Sequence, residues 1–235
     1  MIAAAGSGQR LGAGGPKAFV PLAGRAMVEW SIVACRVAPS VRSIVVACPP
    51  GHVHDLAGGD VGVVDGGATR SESVSNALEA VGTELVAIHD AARPLVTPEL
   101  IEEVVATLVA DPEAAGAIAA TPVTDTIKRV DAAKAAAQAG FTLEQGLDVT
   151  LTVEETLNRQ WLWAAQTPQV FRVDALREAV TTHPAAIADA TDEAMTVEAV
   201  GARVLIHPSP PENLKVTTPL DLKVAELLLA ERSAQ

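Results

Sequence analysis

The feature that most constrains this chain is a glycine-rich stretch that directly follows a short apolar start at residues 1–5. Residues 3–17 read AAAGSGQRLGAGGPK and combine five glycines with two cations, Arg10 and Lys17. Glycine lets backbone N–H groups converge closely on a ligand. Guanidinium and ammonium groups supply positive charge where phosphate oxygens lie. A strand that runs into such a loop predicts a cradle for a nucleoside triphosphate.

Two better-known glycine motifs do not fit this stretch. Its first three glycines are spaced G-x-G-x-x-x-G, which is one residue longer than the dinucleotide-binding fingerprint. A P-loop requires Gly-Lys-Ser/Thr, whereas here Pro16 precedes Lys17 and Ala18 replaces the magnesium-binding hydroxyl. The alternative is a flexible glycine-rich turn, and the two flanking cations argue against it.

Composition favours one α/β domain. The chain has 235 residues, 49% of them hydrophobic, yet aromatic residues make up only 3% and tyrosine is absent. The core must therefore consist of Ala, Val, Leu and Ile, which is typical of helices packed on a parallel sheet. The net charge of −12 argues against a nucleic-acid partner, because such binding depends on Lys and Arg. The negative net charge is still compatible with a small phosphorylated ligand in a locally basic pocket. Mg²⁺ would help there by offsetting the charge of a triphosphate.

The cysteines and the apolar runs bear on location. Cys35 and Cys48 both lie among apolar residues, which predicts buried reduced thiols rather than a disulfide. No basic-then-apolar signal opens the chain, and no uncharged apolar run reaches membrane-spanning length. We therefore expect a soluble cytoplasmic protein without a membrane partner.

Strand-length apolar runs alternate with segments of helical period along most of the chain. At Pro98 the chain also carries a helix-start signal, because Thr97 can cap the helix and acidic residues follow. The alternation predicts a doubly wound, mostly parallel, Rossmann-like sheet that binds ligands at the carboxyl ends of its strands. We predict strands at 43–47, 61–64, 85–89, 115–119 and 203–207, and helices at 27–37, 71–81, 98–109, 174–181, 191–199 and 219–229.

The alternation breaks near residue 124 and resumes near Gln166. Residues 131–158 are rich in Ala, Gly, Glu and Thr and show no core-facing pattern. We therefore predict a single domain over 1–235 with a protruding arm at about 124–160.

A candidate ligand carboxylate follows the strand predicted at 85–89. Asp90 lies within His-Asp-Ala-Ala-Arg-Pro, at the strand end where ligands of such sheets bind. It could bind Mg²⁺ or a sugar hydroxyl. Alternatively, it caps the next turn with Arg93 as a structural salt-bridge partner.

Two further turns and two single residues are candidates for the site. Residues 65–73, DGGATRSES, predict a glycine turn before a helix, in which Ser73 could bond a base edge or the turn could simply be capped. Residues 167–169, Thr-Pro-Gln, predict a rigid polar turn. Thr191 either begins a capped helix or faces ligand, and Lys215 taken alone would be an ordinary surface lysine.

Taken in order, these motifs resemble one enzyme family over essentially the whole chain. They read A-A-G-S-G-x-R-x-G-x-x-x-P-K, D-G-G-x-x-R-x-x-S-V, H-D-A-A-R-P, D-T-I-K, Q-T-P-Q-x-F, T-D-E-A and N-L-K-V-T-T-P-x-D-L. The set resembles the 2-C-methyl-D-erythritol 4-phosphate cytidylyltransferase family of the non-mevalonate isoprenoid pathway. The resemblance implies CMP transfer from CTP to methylerythritol phosphate with release of pyrophosphate, dependence on Mg²⁺ or another divalent cation, and a homodimer formed through the arm.

The resemblance also assigns expected roles to individual residues. It implies catalytic roles for Arg10, Lys17, Arg159 and Lys215. Nucleotide-binding roles follow for Ala4, Ala5, Gly6, Ser7, Gly8, Gly67, Ser73, Asp90 and Ala91. Substrate-binding roles follow for Asp90, Arg93, Thr126, Arg159, Thr167, Thr191 and Lys215, with Asp90 also a metal ligand.

The sequence departs from the family pattern at its start and leaves two alternatives open. Ala3 stands where the family usually has proline, and the sequence starts almost on the glycine-rich loop. A ribitol 5-phosphate cytidylyltransferase would share the CTP half, so the pocket around Arg159, Thr191 and Lys215 must discriminate the two. A nucleotide-binding module without catalysis is the alternative of another class, although the presence of Arg10 and Lys17 argues against it.

Overall fold

A computed structural model describes residues 1–6, 8, 11, 15–52, 56, 60–130, 151–182 and 190–233. The strands in this part of the chain are β1 (Ile2–Ala3), β2 (Pro21–Leu22), β3 (Arg25–Ala26), β4 (Ile44–Cys48), β5 (Val61–Asp65), β6 (Leu85–Asp90), β7 (Gly116–Pro122), β8 (Lys128–Val130), β9 (Val153–Thr156), β10 (Trp163–Arg172) and β11 (Val204–Pro208). The α-helices are α1 (Met27–Val37), α2 (Arg70–Glu79), α3 (Pro98–Val109), α4 (Val173–Thr182), α5 (Glu193–Ala199) and α6 (Pro219–Ser233), and 3₁₀ helices lie at Lys17–Phe19 and Arg159–Trp161.

A seven-stranded sheet organises these elements in the order β11-β7-β10-β6-β1-β4-β5. β1 pairs in parallel with both β4 and β6, β4 with β5, and β11 with β7. β10 is antiparallel to β6. The predicted mostly parallel α/β sheet is therefore confirmed, with one reversed strand that the alternation did not indicate.

Helices cover both faces of the sheet. In β4, Val46 packs in a cluster with Ile32 of α1, whereas Val45 packs with Ala77 of α2 on the other face. Successive strand residues point to opposite faces, so both faces of a doubly covered strand must be apolar. All five residues of β4 are buried, which accounts for the continuous apolar sequence IVVAC.

Local signals define the helix starts. The Thr97 hydroxyl accepts a hydrogen bond from the N–H of Leu100, and Pro98 occupies the first turn of α3. At α2, Thr69 and Glu72 form a reciprocal capping box. The predicted bounds of α1 and α3 agree with the structure residue for residue. α3 begins with a side-chain cap and a proline, whereas α1 begins after Ala26 without a side-chain cap.

The polar turn predicted at residues 167–169 is wrong. This segment lies inside the ten-residue strand β10, which pairs with β6. Its polar side chains are buried, with Thr167 4% and Gln169 1% exposed, and both find hydrogen-bond partners. Polarity alone indicated a turn because the partners come from distant parts of the sequence.

The described chain divides into two compact units, one of residues 1–120 and 165–235 and one of Thr121–Ala164. The second unit carries the antiparallel pair β8–β9 and the 3₁₀ helix Arg159–Trp161. Its boundaries lie near the excursion predicted at about 124–160, and residues 131–150 lie outside the described residues.

Two further predictions concern the thiols and the membrane. Cys48 is buried in β4 and Cys35 is partly buried in α1, and neither forms a disulfide. Burial raises the pKa of the Cys35 thiol. Within the described residues, no helix is both long enough and apolar enough to cross a bilayer.

The close approach of β7 to Phe171 generates a stability prediction. A Cβ on Gly116 would lie 2.6 Å from Cε1 of the fully buried Phe171 ring. Gly116→Ala should therefore lower the free energy of unfolding by about 1–3 kcal/mol, measured by urea denaturation. Gly82→Ala is the matched control, because a Cβ there meets nothing within 4 Å and its φ is not positive. Equal effects of the two substitutions would contradict the packing argument.

Candidate active site

Asp90 lies at the carboxyl end of β6, beside the end of β1. Its backbone N–H donates to Thr167 Oγ1 at 3.0 Å, and the N–H of Ala91 donates to the carbonyl of Ala3 at 3.0 Å. These bonds connect β6 to β10 and to the segment that enters the glycine-rich loop. The Asp90 side chain is 11% exposed, so its carboxylate is held at a nearly enclosed edge of the sheet.

Two cations hold the Asp90 carboxylate. Arg70 donates to Oδ1 from Nε at 3.2 Å and from Nη2 at 3.1 Å. Lys215 donates to Oδ2 from Nζ at 2.7 Å. Arg93, which the alternative interpretation made the salt-bridge partner, instead donates to the carbonyls of Asn213 and Ala165. The pairing with Arg93 is therefore wrong, because the salt-bridge partners come from α2 and from the segment before α6.

Arg70 also contacts a second buried carboxylate. Its Nη1 lies 2.6 Å from Oε1 of Glu193, the first residue of α5, whose side chain is 6% exposed. Arg70 is itself the first residue of α2. One guanidinium therefore joins two helix starts and one strand end.

Burial and neighbouring charges shift the pKa values of the groups in this cluster. Burial alone would raise the pKa of Asp90, but Arg70 and Lys215 outweigh it and hold that pKa well below its usual range. Burial would lower the pKa of Arg70, but Glu193 and Asp90 raise it. For Glu193 burial prevails over the nearby guanidinium and raises the pKa. Asp90 is therefore a fixed anion near neutral pH.

His89 supports the strand end as a neutral ring. Its Nε2 lies 3.1 Å from the Arg93 carbonyl, and its Nδ1 lies 3.0 Å from Thr167 Oγ1. A carbonyl only accepts, so Nε2 carries the proton and Nδ1 accepts from the Thr167 hydroxyl. The same hydroxyl accepts from the Asp90 N–H. Burial lowers the pKa of His89 to about 4, which keeps this network neutral at the ring.

The start of the glycine-rich loop packs against Lys17 at its end. The N–H of Lys17 donates to the Gly6 carbonyl at 3.2 Å. Gly8 has φ +71°, and a Cβ there would lie 2.8 Å from Lys17 Cβ. Only glycine suits that position. Ser7 and Arg10, both predicted site residues, lie outside the described residues.

A second glycine turn packs against the start of this loop. The N–H of Gly66 donates to the Cys48 carbonyl at 2.6 Å, and a Cβ on Gly66 would collide with Cβ of Ala5. The Ser73 hydroxyl accepts from the N–H of Gly67 at 3.1 Å and donates to the Thr69 carbonyl at 2.8 Å. Ser73 therefore shapes the turn in this structure.

The segment that carries Lys215 is fixed on both sides. The Asn213 amide donates to Gln166 Oε1 and to the Thr167 carbonyl, both at 2.9 Å, and its own carbonyl accepts from Arg93. On the other side, the N–H of Val216 donates to the Ala92 carbonyl at 2.8 Å. The backbone is thereby anchored, while the Lys215 side chain stays 45% exposed.

Three predicted residues remain, Thr191 before α5 and Thr126 and Arg159 in the second unit. Thr191 precedes α5, and its hydroxyl donates to Met195 Sδ at 3.1 Å. Thr126 and Arg159 belong to the unit Thr121–Ala164, in which the Arg159 guanidinium donates to the Thr124 carbonyl. The structure thus brings together Asp90, Ala91, Arg93, Thr167 and Lys215, with Ala5 against the neighbouring Gly66–Gly67 turn.

Comparison with known proteins decides the family. A sequence model of 2-C-methyl-D-erythritol 4-phosphate cytidylyltransferase (IspD) matches residues 1–231. The chain belongs to this family. A curated relative with the family's name, from Synechococcus sp. (strain CC9902), is 39% identical over 99% of the length of this chain and 98% of the relative's length. The relative from Frankia casuarinae is 42% identical, over 98% of this chain and 80% of its own.

Solved structures of the family agree. The 2-C-methyl-D-erythritol 4-phosphate cytidylyltransferase of Thermus thermophilus aligns with a TM-score of 0.75 and 31% identity, over 97% of this chain and 96% of its own. The enzyme of Francisella tularensis aligns with a TM-score of 0.77 and 26% identity, over 96% and 97%. As a member of this family, the chain is a nucleotidyltransferase that transfers a cytidylyl group from CTP in the non-mevalonate isoprenoid pathway. The ribitol phosphate alternative is not favoured.

The roles of Arg70 and Glu193 were not predicted from the sequence. Arg70 was visible only as the arginine of the D-G-G-x-x-R motif, and Glu193 only as an acid at a helix start. The signal that could have found Arg70 is its position, because the first residue of a helix after a strand points to the carboxyl edge of the sheet.

The neutral His89 network generates a pH prediction. The unfolded chain protonates this histidine near pH 6.5, whereas the folded chain resists until about pH 4. The contribution of the neutral His89 to the free energy of unfolding is therefore fully present above pH 6.5. It falls by about 3 kcal/mol as the pH drops from 6.5 to 4. His89→Gln should flatten this part of the curve of unfolding free energy against pH. Parallel curves for the two proteins would contradict the assignment.

Proposed function

We propose that the carboxyl edge of the sheet around Asp90 carries out the family's reaction, in which CMP passes from CTP to 2-C-methyl-D-erythritol 4-phosphate. The products are 4-diphosphocytidyl-2-C-methyl-D-erythritol and pyrophosphate. The observation that carries the proposal is the buried Asp90 carboxylate, which lies between Arg70 and Lys215 at the strand end. The glycine-rich loop leaves β1, the strand paired with β6 at this edge.

The nucleotide occupies the glycine side of this edge. The close packing of Gly66 against Ala5 and the closure of Gly6 onto Lys17 support this placement, because both bring glycine backbone close to the strand ends, where a ligand can approach it. Lys17 and Arg10 stabilise the charge that builds on the α-phosphate. The nucleotide-binding residues in this proposal are Ala4, Ala5, Gly6, Ser7, Gly8, Gly67, Ser73, Asp90 and Ala91.

The chemistry requires charge neutralisation more than a strong base. The attacking group is a phosphate oxyanion, which needs no deprotonation, and it must approach a second anionic phosphate in line. Catalysis then rests on positioning and electrostatic stabilisation. His89 is buried and neutral, in keeping with a supporting role rather than that of a base.

The acceptor phosphate occupies the Lys215 side. Lys215 has an anchored backbone and a half-exposed side chain, which suits a group that must reach a ligand. Arg93 and Thr167 act by positioning, since their side chains bind neighbouring backbone and His89. The resemblance also implies acceptor-binding roles for Arg159, Thr126 and Thr191, and these roles remain part of the proposal.

Magnesium fits the residues present. Among the described residues no group of three or more His, Cys, Asp and Glu side chains could hold a metal by itself. Magnesium is commonly bound through one or two carboxylates together with substrate phosphates. Asp90 would supply such a carboxylate if one of its oxygens, which accept from Arg70 and Lys215, were released to the cation. When bound, the cation would offset the charge of the triphosphate.

Assembly is proposed on the resemblance, and location on the sequence. The second unit, with its exposed Trp161 at 76%, would form the homodimer contact, so that Arg159 could serve the partner's site. The partners are CTP and a small polyol phosphate, without nucleic acid or membrane. A cytoplasmic location stays a prediction.

The proposal is tested by magnesium-dependent pyrophosphate release from CTP, with methylerythritol phosphate and ribitol 5-phosphate assayed side by side. Release should occur with the former only. Lys17→Ala should lower the rate by about 10²–10³-fold, as for the loss of one transition-state donor. The exposed Lys223 on α6 provides the matched control, Lys223→Ala, with an unchanged rate. CTP binding without any pyrophosphate release would favour a non-catalytic module instead.

A further inference from the structure

The two cations that hold Asp90 are held very differently themselves. Arg70 is 29% exposed and contacts two carboxylates, through Nε and Nη2 to Asp90 and through Nη1 to Glu193. Lys215 is 45% exposed, and its ammonium contacts a single carboxylate among the described residues, at Asp90 Oδ2. A rigid planar fork shared by two carboxylates exchanges less readily than a point charge on a flexible stem. Lys215 is therefore the exchangeable cation and Arg70 the fixed one.

The fold fixes Glu193 as the anchor of Arg70. Glu193 is 5% exposed at the start of α5, between the capping residue Asp192 and the core residue Ala194. Asp192 is in turn held by the Gln169 amide at 2.8 Å. Of the two Glu193 oxygens, Oε1 contacts Arg70, while Oε2 is buried without a hydrogen-bond partner among the described residues. A buried carboxylate is costly unless paired, so Arg70 is its compensation.

The proposed function places a demand on this arrangement. If Lys215 binds the acceptor phosphate, its ammonium must give up or share its contact with Asp90. Asp90 then needs a second cation to keep its orientation at the strand end. Arg70 is already bonded to the other carboxylate oxygen, so the carboxylate can stay in place while Lys215 moves.

We propose that Arg70 is a positioning residue of the transfer reaction: it holds the Asp90 carboxylate while Lys215 passes to the acceptor phosphate, and Glu193 fixes Arg70 for that role. This inference rests on the proposed function. The inference gives the buried Glu193 carboxylate a role in the reaction, although Glu193 is not among the proposed substrate-binding residues. The alternative is that the Arg70–Glu193 pair only ties α2 to α5.

The two interpretations differ in what Glu193→Gln does. The amide keeps the size of the side chain but removes the charge that orients Arg70. If Arg70 positions Asp90, kcat should fall by about 10–100-fold, because small misplacements at a reacting centre are costly. KM for CTP should change much less than kcat, since Asp90 is only one of the proposed nucleotide-binding residues. If the pair is merely structural, the melting temperature falls and kcat does not.

A second variant keeps the test decisive if Glu193→Gln folds poorly. Arg70→Lys retains the charge but cannot bridge both carboxylates, so it should lower kcat by about 10²-fold. The double variant should lose little more than the worse single variant, because both changes disrupt one unit. Asp60→Asn is the matched control: it removes one carboxylate from an exposed arginine pair, that of Arg36, and should leave all constants unchanged.

The experiment measures kcat and KM for both substrates, with the melting temperature, in the wild type and these four variants. A selective, non-additive loss of kcat supports the inference. Wild-type kcat in Arg70→Lys and Glu193→Gln overturns it and leaves the proposed function standing. No pyrophosphate release by the wild type with methylerythritol phosphate would overturn the proposed function and this inference with it.

Discussion

The site depends on one nearly buried carboxylate, Asp90, held between a fixed guanidinium and an exchangeable ammonium. A charge this enclosed is stable only when paired, so its partners must be in place for the strand end to form as it does. α2 supplies Arg70, and the segment before α6 supplies Lys215. Local helix starts and a distant loop are thereby bound to one point of the sheet.

The sheet topology explains why these groups meet. β1 is only two residues long, yet it lies between β4 and β6 and sends the chain directly into the glycine-rich loop. Carboxyl ends of neighbouring parallel strands share one edge, so the loop after β1 and Asp90 at the end of β6 are brought side by side. The antiparallel β10 then adds Thr167 under Asp90.

The sequence predicted what depends on local signals. The bounds of α1 and α3 followed from helical period, with a capping signal at α3, and the parallel sheet followed from strand–helix alternation. Asp90 was found from its place at the end of a predicted strand, whereas Lys215 was found only because the ordered motifs resemble a family. β10 was missed, since buried polar residues such as Gln169 look like a turn until their partners are known. The role of Glu193 was missed because its partner Arg70 lies 123 residues away.

The most direct test of the central claim is the rate at which Asp90→Asn forms 4-diphosphocytidyl-2-C-methyl-D-erythritol from CTP and methylerythritol phosphate. The amide keeps the shape of the side chain but cannot pair with Arg70 and Lys215 as an anion. We expect a loss of at least about 10²-fold relative to the wild type, with the fold intact. A variant that forms product at the wild-type rate would contradict the claim that this carboxylate organises the site.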